Sequence, residues 1–210
     1  EAQASYISHL DTMRTFQRVF PRAELHLKHS NGFHPHPIIS IVLPLPVGQS
    51  SDCELLDFET VEETDGAGIA EKLNTGLPAG LRVRECYPVT RPVREFTFLR
   101  ARLELLYDNG VPAGTADALR ALFARETLMI EKRTKHKELA QIDIAPLIRE
   151  MTLTEQDGSI LADAVVAAQN PGLNPAYLAQ AIERELPSLK PDFVRVRRTE
   201  IYDTEGNVFR

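Results

Sequence analysis

Near the middle of the chain two prolines bracket a short run, Pro88-Val89-Thr90-Arg91-Pro92. Each proline locks φ and removes an amide donor, so neither a helix nor a central strand can run through the segment. Each side must therefore bury a core of its own. The 210 residues then read as two domains, residues 1–90 and 91–210, each large enough to fold.

The order of elements repeats on either side of that link. In the first half, residues 2–7 read as the end of a strand whose beginning is missing. Ser8-His9-Leu10-Asp11 fits a capping box that opens a helix. Leu10, Met13, Phe16 and Phe20 recur at helical spacing, Arg14 and Arg18 lie on another face, and Pro21 should stop or kink the helix. Residues 25–29, 38–43 and 54–60 are extended runs. A helix over 67–74 carries Ile69, Ala70 and Leu73, and 81–87 reads as a strand.

In the second half, residues 96–107 form a long strand whose alternation slips near Leu99, as a bulge would cause. A turn with Gly110, Pro112 and Gly114 leads to a helix opened by Thr115, with Leu119, Leu122 and Phe123 inward. A strand over 128–133, an irregular stretch around Pro146 and a hairpin over Asp157-Gly158 follow. Asn174-Pro175 opens the last helix, and 193–202 closes the domain. Each half approximates βαββαβ, so the expected class is α+β: two tandem ferredoxin-like units with antiparallel sheets.

Composition narrows the function classes. The longest apolar run, 38–47, is broken by Ser40, Pro44 and Pro46, so no membrane span is expected. Two cysteines, Cys53 and Cys86, cannot make a disulfide framework or hold an iron–sulfur cluster unaided, which points to a reduced, cytoplasmic setting. A net charge of −6 argues against indiscriminate nucleic-acid binding, but the charge is segregated. Residues 52–65 hold seven carboxylates and no base. Basic residues gather in 82–102, 132–137 and 190–198. Arg82, Arg84, Arg100, Arg102, Lys132, Arg133, Arg195 and Arg197 are therefore the nucleic-acid-binding candidates.

Five of the six histidines fall between His9 and His36. His26 and His29 point to opposite faces of an extended segment and no cysteine accompanies them, so no metal is expected. His9 and Asp11 matter more, because the first turn of a helix presents free amide hydrogens and the positive end of its dipole. With Arg14 a turn later, that end suits a phosphate or carboxylate. Two rigid loops could close the site: Gly32-Phe33-His34-Pro35-His36-Pro37, or Pro44 through Gly48 to Ser51. His9, Asp11 and His36 are the catalytic candidates; Arg14, Gly32, His34, Gly48 and Ser51 would line the anion site. The chain carries no phosphate-binding loop, nucleophile elbow or dinucleotide fingerprint, so the residues alone demonstrate no enzyme.

The string Tyr6-Ile7-Ser8-His9-Leu10-Asp11-Thr12-Met13-Arg14 stands before Gly32-Phe33-His34-Pro35-His36-Pro37 and Pro44-Leu45-Pro46-Val47-Gly48. Together with Ile142-Asp143, Pro146-Leu147-Ile148, Pro175 and Arg197-Arg198-Thr199, it resembles the radical-SAM-linked bacterial proteins of unknown function. The resemblance covers nearly the whole chain; Pro21 departs from the family's uninterrupted first helix. It implies a radical SAM protein, fused or encoded nearby, as partner. S-adenosylmethionine and the iron–sulfur cluster would sit on that partner and no cofactor on this chain. It also implies an RNA-linked role by association.

Tandem ferredoxin-like domains with a histidine near the first helix are similar, at the level of fold, to CRISPR-type repeat-processing endoribonucleases. The leading expectation is a substrate-recognition module that is not catalytic alone, acting on RNA or a ribosome-linked substrate. The alternatives are a metal-independent RNA endonuclease and a non-catalytic interaction scaffold.

Overall fold

The computed structural model describes residues 2–64, 66–133 and 139–210, and the chain divides into two compact units, Glu1–Val93 and Arg94–Arg210. It is a mixed α+β protein. The Arg133 side chain and residues 134–138, part of one predicted basic run, lie outside the described residues.

In the first unit the predicted strand before the first helix is instead a 3-10 turn, Ala2–Tyr6. Helix α1 spans His9–Arg22. Pro21 does not shorten it, because in the last turn a missing amide costs only one intrahelical bond. The helix ends in a Schellman motif: the Glu24 amide donates to Pro21 O at 3.1 Å and the Leu25 amide to Phe20 O at 3.0 Å. Glu24 takes the left-handed φ of 58° that this motif requires.

The buried face of α1 also differs from the expected one. Val19 and Phe20 are buried with Leu27, Ile69 and Leu73, and Phe16 packs against them, whereas Leu10 is 61% exposed. Phe20 meets Phe58 edge-on, ring centroids 4.8 Å apart.

Strands β1 (Ile39–Ile41) and β2 (Leu56–Phe58) pair antiparallel with Ile39 opposite Phe58. The predicted run 25–29 joins them only through isolated bridges, Leu27 to Thr60 and His29 to Pro37. Helix α2 spans Ile69–Gly76. The predicted strand over 81–87 is absent. Val83 still packs on the core, but its backbone is satisfied by a side chain: Asn74 Nδ2 donates to Val83 O at 2.8 Å, and the Val83 amide donates to Asn74 Oδ1 at 2.9 Å. Gly66 lets this segment approach, since a Cβ there would stand 2.8 Å from Cys86 O.

In the second unit the elements run β3 (Phe96–Leu106), α3 (Thr115–Phe123), β4 (Met129–Arg133), β5 (Leu139–Asp143), β6 (Ile148–Gln156), β7 (Ser159–Ala167), α4 (Ala176–Glu185) and β8 (Phe193–Asp203). The sheet order is β8-β3-β7-β6, every neighbour antiparallel, with β4 and β5 forming a separate ladder. Two register shifts between β3 and β8 flank Leu99, at 96–98 and 100–101. Gly158 takes a φ of +68° in the β6–β7 turn, and the Ala176 amide donates to Asn174 Oδ1 at 3.1 Å at the start of α4. Leu99, Ala101, Leu103 and Leu105 alternate along β3 at no more than 1% exposure, as do Leu119, Leu122, Leu178, Ala181 and Ile182 on the helices. One face of β3 therefore carries the core, and Arg100, Arg102 and Glu104 stand on the other.

Phe20→Ala should cost about 3–5 kcal/mol, because the site is sealed and the hole cannot fill from solvent. Urea unfolding of the intact chain measures it; a loss below about 1 kcal/mol would show that the α1 core is not packed as described.

Candidate functional site

Ser8 organises the start of α1. Its hydroxyl accepts the Asp11 amide at 3.1 Å and donates to Asp11 Oδ2 at 2.7 Å. Asp11 therefore takes the cap's hydroxyl rather than reaching back to a free amide. Its other oxygen accepts from Arg14 Nη1 at 3.0 Å. Both side chains of that pair are more than half exposed, so it contributes little stability. The Ser8 hydrogen bond, and secondarily Arg14, hold the Asp11 carboxyl below its usual range. The amides of His9 and Leu10 have no intrahelical acceptor, as helix geometry dictates for the first turn.

His9 is half-buried, and its Nδ1 is sealed from solvent with no hydrogen-bond partner among the described residues. A buried ring nitrogen left unmatched costs free energy unless something absent supplies the partner.

Of the two loops, residues 44–51 come to the approach to α1: the Gly48 amide donates to Ser5 O at 2.7 Å. Gly48 has a φ of +88° with open space where a Cβ would stand. Ser51 Oγ accepts the Cys53 amide at 3.2 Å, so it shapes its own turn. The other loop closes on itself. Ser30 Oγ and His36 Nδ1 are 2.8 Å apart, and the Ser30 amide donates to His36 O at 2.8 Å. His36 is thus engaged with Ser30 and not with His9. Gly32, Phe33 and His34 are exposed at this loop's tip.

The remaining histidines are spread out, His26 facing Glu62 at 2.9 Å and His29 facing Leu27 O at 3.1 Å. Among the described residues no group of three or more His, Cys, Asp or Glu could hold a metal ion. Cys53 is buried, and burial pushes the Cys86 thiol up.

The basic candidates are mostly neutralised. Arg84 faces Asp52 at 3.7 Å, Arg100 and Arg102 share Asp163 at 2.7 and 3.5 Å, and Arg195 meets Glu104 at 2.9 Å. Arg100 also donates to Tyr202 Oη at 3.4 Å. Lys132 lies 6.0 Å from the centre of the Tyr177 ring, and Arg197 is half-buried opposite Arg102. Arg82 stays exposed in the first unit. Sequence reasoning missed the 5–48 hydrogen bond, for which no local sequence signal exists, and Tyr6, Leu10 and Val47 are exposed apolar residues.

What the fold defines is a mixed α+β protein of two compact units. The chain belongs to a family described as an uncharacterized protein conserved in bacteria (DUF2344), whose pattern matches residues 1–175. No curated protein matches it in sequence. Among solved structures it is similar to a chain of "Crystal Structure of a Cbf5-Nop10-Gar1 Complex", at 10% identity and a TM-score of 0.47. The match covers 90% of this chain and 45% of that one, so the chain spans less than half the length of that relative. No helix among the described residues is long and apolar enough to cross a membrane.

Because the folded pKa of Asp11 is lowered, its contribution is present above about pH 4, the unfolded value, and is lost as pH falls through the folded value. Asp11→Asn should therefore flatten part of the acid-side fall in melting temperature. Plots of melting temperature against pH that run parallel for the two proteins from about pH 2 to about pH 7 would show that the carboxylate does not contribute.

Proposed function

We propose that this chain is a cytoplasmic recognition module that works beside a radical SAM enzyme and presents RNA or a ribosome-linked substrate to it. The observation that carries the reading is the sealed, unmatched Nδ1 of His9 at the start of α1. With the ring turned toward solvent, an imidazole carrying its proton there would donate to an anionic or carbonyl group, and the adjacent first-turn amides of α1 would support the same ligand. Asp11 holds Arg14 in place, and the Gly48 loop borders the approach.

Two cysteines, one of them buried, do not fit a cluster that takes three thiolates, so the radical chemistry would reside wholly on the partner. We read the two units as versions of one ferredoxin-like plan. Support comes from the second unit, whose sheet strands fall in the order fourth, first, third, second, with a helix after the first strand and another before the last. The first unit would be an abbreviated copy.

His9→Ala is expected to reduce turnover by the partner enzyme at least about tenfold while changing stability by less than about 1 kcal/mol, since it removes a group without a partner. Full turnover with His9→Ala would reject the site. Cleavage of structured RNAs by the pure protein would replace the recognition role with that of an endonuclease.

A further inference from the structure

Helix α1 carries Arg14, Arg18 and Arg22 at a spacing of four residues, all exposed. Four residues rise about 6 Å, so the three cations follow one another along the helix at that step. Arg18 and Arg22 have no hydrogen bond or ion pair among the described residues. Elsewhere Arg84, Arg100, Arg102 and Arg195 all face carboxylates at 2.7 to 3.7 Å. The only carboxylate on α1 is Asp11, which Ser8 and Arg14 already occupy. In a chain of net charge −6, Arg18 and Arg22 are the part of this row left uncompensated.

An aromatic ring precedes the ridge in the chain: Tyr6, on the 3-10 turn before α1, is 70% exposed. We infer that the exposed face of α1 binds single-stranded RNA, its phosphates running along Arg14, Arg18 and Arg22 and a base stacking on Tyr6. Basic tracks that follow the backbone, combined with open ring faces, are how single strands are held without a sequence code. A lipid surface fits less well, because most of the apolar side of α1, Phe16, Val19 and Phe20, is turned into the unit's core. An acidic peptide would use the arginines but not the ring.

The inference rests on the recognition reading for its choice of RNA, and the two fail separately. Binding of the intact chain to a labelled single-stranded RNA about a dozen nucleotides long is followed by fluorescence anisotropy between about 50 and 200 mM salt. Arg18→Glu with Arg22→Glu should weaken binding at least about tenfold and lower the log–log salt slope by about 1.4, two single-strand phosphate contacts. Tyr6→Ala should weaken it about five- to a hundredfold. Arg125→Glu, at an arginine paired with Glu185, should change it less than about twofold.

Thermal melting of each variant checks that these exposed changes leave the fold intact; the charge-neutral pair Arg18→Gln and Arg22→Gln should show a smaller loss in the same direction. Unchanged affinity in the double variant, binding independent of salt, or equal competition by polyglutamate or by anionic phosphatidylglycerol vesicles would overturn the inference. If the double variant binds normally while His9→Ala still blocks turnover, the ridge falls and the His9 site stands. Loss of binding in the double variant with full turnover in His9→Ala would uphold the ridge alone.

Discussion

Burial of Val19 and Phe20 sets the rotation of α1, and what the first unit shows to solvent follows from it. Phe20 is fully enclosed, edge-on to Phe58, and a side chain of that size contributes about 2–3 kcal/mol of transfer free energy. At about 100° per residue, Arg18 and Arg22 each fall about 200° from Phe20 around the axis, in opposite senses, and both are exposed. Leu10 fails to bury by the same rotation. At about 100° per residue it falls about 180° from Val19 and about 80° from Phe20, and it lies about 15 Å along the helix from Phe20. Periodicity reports spacing and does not say which of two overlapping faces turns inward. The expected face, with Leu10 inward, was wrong on that count.

The second unit was legible because its signals are long and local. An eleven-residue strand alternates from Leu99 onward, Asp157-Gly158 is a turn by composition, and Asn174 caps the helix it precedes. The first unit was harder to read because its ladders are three residues long and its extended runs meet only at bridges. The segment 81–87 shows the limit clearly. Its alternation reflects real packing of Val83 and Cys86 on the core, yet its backbone is satisfied by the Asn74 amide instead of a neighbouring strand. Burial pattern and hydrogen-bond partner are separate quantities, and sequence carries only the first.

The same limit governs the charges. A run of arginines in sequence suggests a basic patch, but whether it remains basic depends on register. Arg102 lies opposite Asp163 across the β3–β7 ladder, a partner 61 residues away. Glu104 lies opposite Arg195 across β3–β8. Cross-strand pairing converts apparent patches into neutral sheet surface. Helix α1 escapes this, because a helix surface offers its residues only neighbours three or four positions away, and neither Arg18 nor Arg22 has an acid there. Cations that stay free in an acidic protein are therefore found where local spacing supplies no carboxylate.

In the proposed reading, Asp11 stands in the path of any polyanion that follows the arginines toward the free amides of the first turn. Its charge is tied to Ser8 and Arg14, and the Arg14 bond is the weaker hold, since both of its side chains are more than half exposed. Exchange of Arg14 from Asp11 to a phosphate would replace one solvent-screened ion pair with another, at little cost. Asp11 would keep its Ser8 hydrogen bond throughout, so the cap and the helix start would survive the exchange. Arg14 can then serve the empty helix start or a passing phosphate without unfolding either, and His9 lies within the turn where the two alternatives meet.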